Sequence, residues 1–193
     1  IFFSFYENDS SDGTPERLAS WLTDRDGSLI TETYWEPKGV GRHLARTQRL
    51  ASARNSALAP LIAQDLAWLL VIDADLKIDL GHVRSLYDMA QCNPHASMLC
   101  ASAIQNVPDV FGESQWSYYD SWALRDLQGS GGITFAANPF RQQSDRWRWM
   151  AGLPVSVAAA FGGMALLPMD VVRRYQLHWQ GDHGCEPVSY THL

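Results

Sequence analysis

The sequence predicts an α/β domain built on a mostly parallel sheet with helices on both faces, and three observations carry that prediction. Strand-like and helix-like patterns alternate from residue 1 to residue 104, an order that favours crossover connections between parallel strands. The run from Ala67 to Ile72 is continuously apolar and too short for an isolated helix, so it reads as a strand buried on both faces. Asp73-Ala74-Asp75 follows it directly, which places two carboxylates at the carboxyl end of a strand, where open α/β sheets bind their ligands.

The elements follow in order. Ile1 to Tyr6 reads as a strand, and Glu7 to Gly13 as a polar turn rich in residues that bond their own backbone. Thr14 is the expected cap of a helix with Pro15 in its first position, Glu16 in its first turn, and Leu18, Trp21 and Leu22 on its buried face. Asp24 to Ser28 ends that helix, and Leu29 to Tyr34 reads as a second strand. From Leu44 to Ile62 the stripe Leu44, Thr47, Ala51, Leu58 and Leu61 marks a long helix, with Arg54 on the same stripe and Pro60 expected to kink or split its end.

Asp79 is a natural cap for the next helix, whose stripe is Val83, Leu86, Tyr87 and Ala90, so capping does not account for Asp73 and Asp75. Ser97 to Ile104 reads as a further strand. Residues 105 to 150 break the pattern with mixed aromatic and polar residues, among them Trp116, Tyr118, Tyr119, Trp122, Phe135, Phe140, Trp147 and Trp149. Such a set suits stacking on sugar rings or the packing of a small subdomain. Met150 to Met169 is apolar, but Gly152, Pro154, Ser156, Gly162, Gly163 and Pro168 interrupt it, so it reads as buried strand and loop rather than as a membrane span.

Composition narrows the partners. At 193 residues and 46% hydrophobic content the chain can bury one sizeable core. A net charge of −6 disfavours a nucleic-acid partner, although Arg42, Arg46 and Arg49 form a local basic cluster. Cys92, Cys100 and Cys185 show no metal-ligand spacing and cannot all pair, which favours a reducing compartment. No signal peptide is visible in a chain that opens on Ile1-Phe2-Phe3 without a Met. The expected location is the cytoplasm, including the periphery of a membrane, or the Golgi lumen in a eukaryote.

Two carboxylates one residue apart can turn toward one hard cation if the strand breaks between them, and Mg²⁺ or Mn²⁺ held by Asp73 and Asp75 could bridge to a diphosphate. The competing reading leaves one Asp as a helix cap and the other solvated. Arg54, on the buried stripe, needs a carboxylate or phosphate partner, unless it snorkels to solvent.

Five blocks together resemble a nucleotide-sugar glycosyltransferase of the GT-A type. They are Glu7-Asn8-Asp9-Ser10-Ser11-Asp12-Gly13-Thr14, Arg49-Leu50-Ala51 with Arg54-Asn55, Asp73-Ala74-Asp75, Tyr118 to Asp126, and Phe161-Gly162-Gly163-Met164 followed by Gly184-Cys185-Glu186. In this order they are similar to the fungal capsule-associated α-1,3-mannosyltransferase family and its bacterial relatives, and more distantly to mannan-polymerase mannosyltransferases. The resemblance implies a Rossmann-like GT-A domain over 1–186 whose first strand-helix unit and C-terminal part are missing, with 187–193 a non-native tail. In place of the family's Cys-Glu-His the chain has Pro187, and the tail resembles one reading frame of a sequencing adapter.

The resemblance also implies roles. Asp75, helped by Asp73, would hold Mn²⁺ or Mg²⁺ on the donor diphosphate, with Arg54 beside the same phosphates. Glu7, Asn8 and Asp9 would meet the ribose or base, with a self-bonded turn as the alternative. Asn55 would lie with Arg54 at the nucleotide. Tyr119, Asp120 and Arg125 would lie near the donor sugar or acceptor. Glu186 would be the general base of an inverting enzyme, or an acceptor-binding residue in the retaining chemistry of the family resembled; of the histidines, His183 near Glu186 is the one to test. The implied activity is transfer of a hexose, mannose among the candidates, from GDP-mannose or a UDP-hexose to a glycan or glycolipid acceptor. A sugar-nucleotide nucleotidyltransferase and a non-catalytic carbohydrate-binding domain of the same fold are the alternatives.

Overall fold

The computed structural model describes residues 1–34, 44–108, 111–134, 136–181 and 188–189. The chain divides into two compact units, one of Ile1–Ala67 with Met169–Leu193 and the other of Trp68–Pro168.

In the first unit β1 (Phe3–Asn8) and β2 (Gly27–Glu32) pair in parallel, with Phe3 opposite Gly27 and Asn8 opposite Glu32. The connection between them is α1 (Thr14–Leu22), as alternation predicts. Its cap differs from the expectation. Gly13, left-handed at φ 77°, precedes the helix and no side chain caps it. The Thr14 hydroxyl and N–H instead both donate to Asp12 Oδ1, at 2.6 and 3.1 Å, so an Asx turn replaces the Thr cap. The expected buried face of α1 is only half covered, because Leu18 and Leu22 are half-buried and Trp21 is exposed. Trp21 still anchors the helix. Its ring meets Phe3 and Phe5 edge-on, with centroids 4.7 and 5.7 Å away, and the Arg25 guanidinium lies 4.3 Å from its centroid.

The long helix α2 (Leu44–Ile62) buries Thr47, Ala51, Leu58 and Leu61. Leu44, at its first position, is exposed. Pro60 does not split the helix but sits in its last turn, where little helix remains beyond the hydrogen bond that its ring removes. The loop that follows is held by Arg173 of α5 (Met169–Arg174), whose guanidinium donates to the carbonyls of Ile62, Gln64 and Leu66. Then β8 (His178–Trp179) pairs antiparallel with β9 (Val188–Ser189).

The second unit opens with β3 (Trp68–Ile72), α3 (Leu80–Cys92) and the short β4 (Leu99–Cys100). A hairpin of β5 (Ile104–Pro108) and β6 (Ser114–Tyr118) follows, then α4 (Gln143–Met150) and β7 (Met164–Pro168). The sheet order is β3-β7-β4, with β7 antiparallel to both neighbours, so β3 and β4 run parallel to each other without touching.

This corrects the expected mostly parallel sheet. Among the described residues β1 and β2 are the directly paired parallel strands, and the other strand pairs are antiparallel. The physical reason is β7, which returns late in the chain and inserts between two strands of an α/β crossover. It also takes over the most buried position in its sheet. Met164, Ala165, Leu166 and Leu167 are all buried, whereas β3, an outer strand of the three, buries only Leu69 fully and leaves Ile72 exposed.

Helix α3 packs Leu86 and Ala90 against Met164 and Leu166 of β7, with Trp68, Leu70, Val83 and Leu99 around them. Asp79 caps it as expected: its Oδ1 accepts from His82 N–H at 3.0 Å, and His82 Nδ1 accepts from Asp79 N–H at 3.1 Å. The predicted strand Ser97–Ile104 shortens to Leu99–Cys100, and Ile104 already belongs to the hairpin. No helix among the described residues is long and apolar enough to cross a membrane.

Candidate functional site

At the carboxyl end of β3 the chain leaves the sheet in a turn, with Asp73 N–H donating to Gly163 O at 2.8 Å and Leu76 N–H to Asp73 O at 3.4 Å. The turn gives Asp75 an exposed position, where its carboxylate accepts from the Tyr119 hydroxyl at 3.3 Å. Burial raises the Tyr119 phenol first, and the negative charges of Asp75 and Asp73, the hydrogen bond to Asp75 and the charge of Asp120 raise it further, to about 12. Tyr119 therefore stays a neutral donor at physiological pH.

Asp120, the next residue, fastens the loop opposite. One of its oxygens accepts from Gly162 N–H at 3.2 Å and the other from Ala123 N–H at 3.3 Å. Gly162 and Gly163 both have positive φ, at 64° and 80°. A Cβ on Gly162 would overlap the Ala101 carbonyl oxygen, and one on Gly163 would overlap the Leu76 side chain. These residues let the backbone cross the end of β3 at a distance no side chain allows. Beneath them lie Tyr118, which is buried, and Cys100, which is half-buried. Burial and the charge of Asp120 push the Cys100 thiol up to about 12, and its Sγ donates to Ala160 O at 3.1 Å.

The second unit thus brings together Asp73, Asp75, Tyr119 and Asp120 of the predicted residues. No group of three or more His, Cys, Asp or Glu side chains among the described residues is arranged to hold a metal ion. The donor set of Asp73 and Asp75 nevertheless fits a cation that arrives with its ligand, since Mg²⁺ in nucleotide sites takes one or two carboxylates and completes its shell with phosphate oxygens and water.

The other candidates are engaged locally. Arg125 donates from its guanidinium to Trp122 O and Leu124 O at 2.9 and 2.7 Å, so it braces its own turn. Beside it, buried Asp126 accepts from Gln128 and Ser130 N–H at 3.0 and 2.7 Å. In the first unit, Glu7 accepts from Ser10 N–H at 2.7 Å, while Asp9, at φ 58°, accepts from Tyr34 N–H at 3.0 Å and from Asn8 Nδ2 at 3.1 Å. Glu7 and Asn8 therefore bond within the turn, while Asp9 also ties it to the segment that follows β2. Asn55 exchanges two hydrogen bonds with the Trp179 backbone, at 2.9 and 2.8 Å. Arg54 is half-buried on α2. Glu186, His183, Cys185 and Arg42 lie outside the described residues.

What sequence reasoning missed is the buckle formed by Asp120 and Gly162. A Gly-Gly pair after an apolar segment was the available signal, but its carboxylate partner is 42 residues away. A family model described as Cryptococcal mannosyltransferase 1 matches residues 1–189. No curated protein and no solved structure matches the chain.

Proposed function

Since the chain belongs to the family described as Cryptococcal mannosyltransferase 1, a name that points to a glycosyltransferase, we propose that it moves a mannosyl group from a nucleotide-diphosphate donor to a glycan or glycolipid acceptor. The observation that carries this reading is the convergence of Asp73, Asp75, Tyr119 and the Asp120-buckled Gly162-Gly163 loop at the carboxyl end of β3.

In this reading Asp73 and Asp75 would hold the Mn²⁺ or Mg²⁺ that accompanies the donor diphosphate. Such a cation supplies Lewis-acid neutralisation of the charge that develops as a nucleoside diphosphate departs. Tyr119 orients the Asp75 carboxylate and keeps its proton while doing so. Asp120, with both oxygens holding backbone N–H groups, positions the glycine loop rather than taking a proton. A retaining transfer, in which acceptor attack and diphosphate departure share one face of the sugar, needs no separate enzymatic base and accords with that arrangement.

The test is incubation of the protein with GDP-mannose or UDP-glucose, Mn²⁺ and a mannose-terminated oligosaccharide. Hexose incorporation is followed by mass spectrometry and the new anomer by NMR. Transfer from GDP-mannose with retained configuration is expected. Release of hexose 1-phosphate, which marks nucleotidyl transfer, or the absence of any hexose product would overturn the proposal.

A further inference from the structure

Away from the carboxylate pair, the second unit carries a surface hollow of about 440 Å³ lined by Arg141, Gln143, Arg146, Trp147 and Met150. That volume falls within the range of small-ligand sites, about 300 to 1,000 Å³. Its chemistry is unusual for this chain, whose net charge is −6, because two guanidiniums flank an indole that is 62% exposed. Exposed tryptophan is costly to leave in water, and the other tryptophan of α4 is not left there. Trp149 is half-buried, packs against the Tyr118, Leu124 and Phe140 cluster, and donates from its indole N–H to Ser102 Oγ at 2.6 Å. The helix is thereby fixed with Trp147 facing the hollow.

The rim is fixed too. Arg141 Nε donates to Gly131 O at 3.1 Å, Asn138 Nδ2 to Arg146 O at 3.3 Å, and Arg148 Nε to Pro154 O at 2.9 Å. Among the described residues the Arg146 guanidinium makes no hydrogen bond or ion pair.

We propose that this hollow binds a carboxylate-bearing saccharide, such as a uronate unit of an acidic glycan. The apolar C–H face of a pyranose ring lies on the Trp147 indole, and Arg146 and Arg141 receive the carboxylate, whose two oxygens match the fork of a guanidinium. Gln143 supplies an amide for ring hydroxyls. A bare phosphate or a purely apolar ligand would use one half of this lining and waste the other. The binding itself stands apart from the glycosyl-transfer reading. Its service as an acceptor subsite rests on that reading.

The test is calorimetric titration of the protein with a galacturonate hexamer, a mannose hexamer and GDP, repeated on Trp147→Ala, Arg146→Gln and Asp75→Asn. The hexauronate should bind at least about tenfold more tightly than the neutral hexamer. That preference should weaken with salt, as paired exposed charges do, and fall about tenfold or more in Trp147→Ala and in Arg146→Gln. Asp75→Asn should leave hexauronate binding unchanged even where it abolishes GDP binding, which separates this site from the donor site. Equal binding of the two hexamers, no hexauronate binding, displacement of hexauronate by GDP alone, or unchanged affinity in both hollow variants would each overturn the proposal. Both hollow residues are exposed, so their variants keep the fold, and matching thermal melts verify it.

Discussion

Gly162→Ala perturbs the point where the loop before β7 crosses the end of β3. Three costs add. At φ 64° an alanine must adopt the left-handed region, about 1–2 kcal/mol. Its Cβ would overlap the Ala101 carbonyl oxygen and stand 3.0 Å from the carbonyl carbon. Ala101 cannot retreat easily, because its N–H donates to Met164 O at 2.8 Å as the continuation of β4 along β7. Overpacking against fixed backbone adds about 1–3 kcal/mol. Any shift of the loop also stretches the hydrogen bond from Gly162 N–H to Asp120, worth about 1 kcal/mol. The expected loss is about 3–6 kcal/mol. Gly112→Ala and Gly152→Ala isolate the backbone term, since both glycines have positive φ, at 83° and 68°, and neither would put a Cβ within 4 Å of another described residue. Urea unfolding of the three variants should show Gly162→Ala at least about 2 kcal/mol worse than either comparator. Equal losses in all three would refute the close approach of Gly162 to Ala101.

Asn55→Ala should cost about 2 kcal/mol by stranding the N–H and carbonyl of Trp179, a residue 4% exposed, while leaving the affinity for GDP unchanged below the melting range; a weakened GDP affinity at full stability would restore Asn55 to the nucleotide site. Maleimide labelling at pH 8 should modify exposed Cys92 quickly and Cys100 slowly. A thiol raised from 9.0 to about 12 holds about 10³-fold less thiolate at that pH, and its rate should climb tenfold per pH unit up to about 12. Comparable rates for the two cysteines would show that Cys100 is neither partly shielded from solvent nor beside Asp120.

The sequence disclosed the elements whose signals are local. The stripe of α2, the cap of α3 at Asp79 and the strand before Asp73 each rest on spacing within one segment, and each is present. What it did not disclose depends on pairing across distance. The apolar segment ending at Met169 was readable as strand, but nothing in it says that Met164–Pro168 enters between β3 and β4 and reverses the sheet's character. The β5–β6 hairpin was hidden because its open-face residues, Asn106, Ser114 and Trp116, carry no consistent polarity. The site was legible in its carboxylates and illegible in its supports. Asp73 and Asp75 stand out as a strand-end pair, whereas Asp120 and Arg125 look alike in sequence and differ only in what they hold, one the neighbouring glycine loop and the other its own turn.

The central claim is that the pair at the end of β3 holds a nucleoside diphosphate through a divalent cation. Calorimetric titration of GDP into the protein with and without Mn²⁺, repeated on Asp75→Asn, tests it most directly. Asp75 is exposed and its hydrogen bond from Tyr119 spans 3.3 Å, so the variant should melt with the parent. Binding that requires Mn²⁺ and weakens at least about tenfold, or about 1.4 kcal/mol, in Asp75→Asn is the predicted result. Binding that ignores Mn²⁺, or that survives in the variant at full strength, would contradict it.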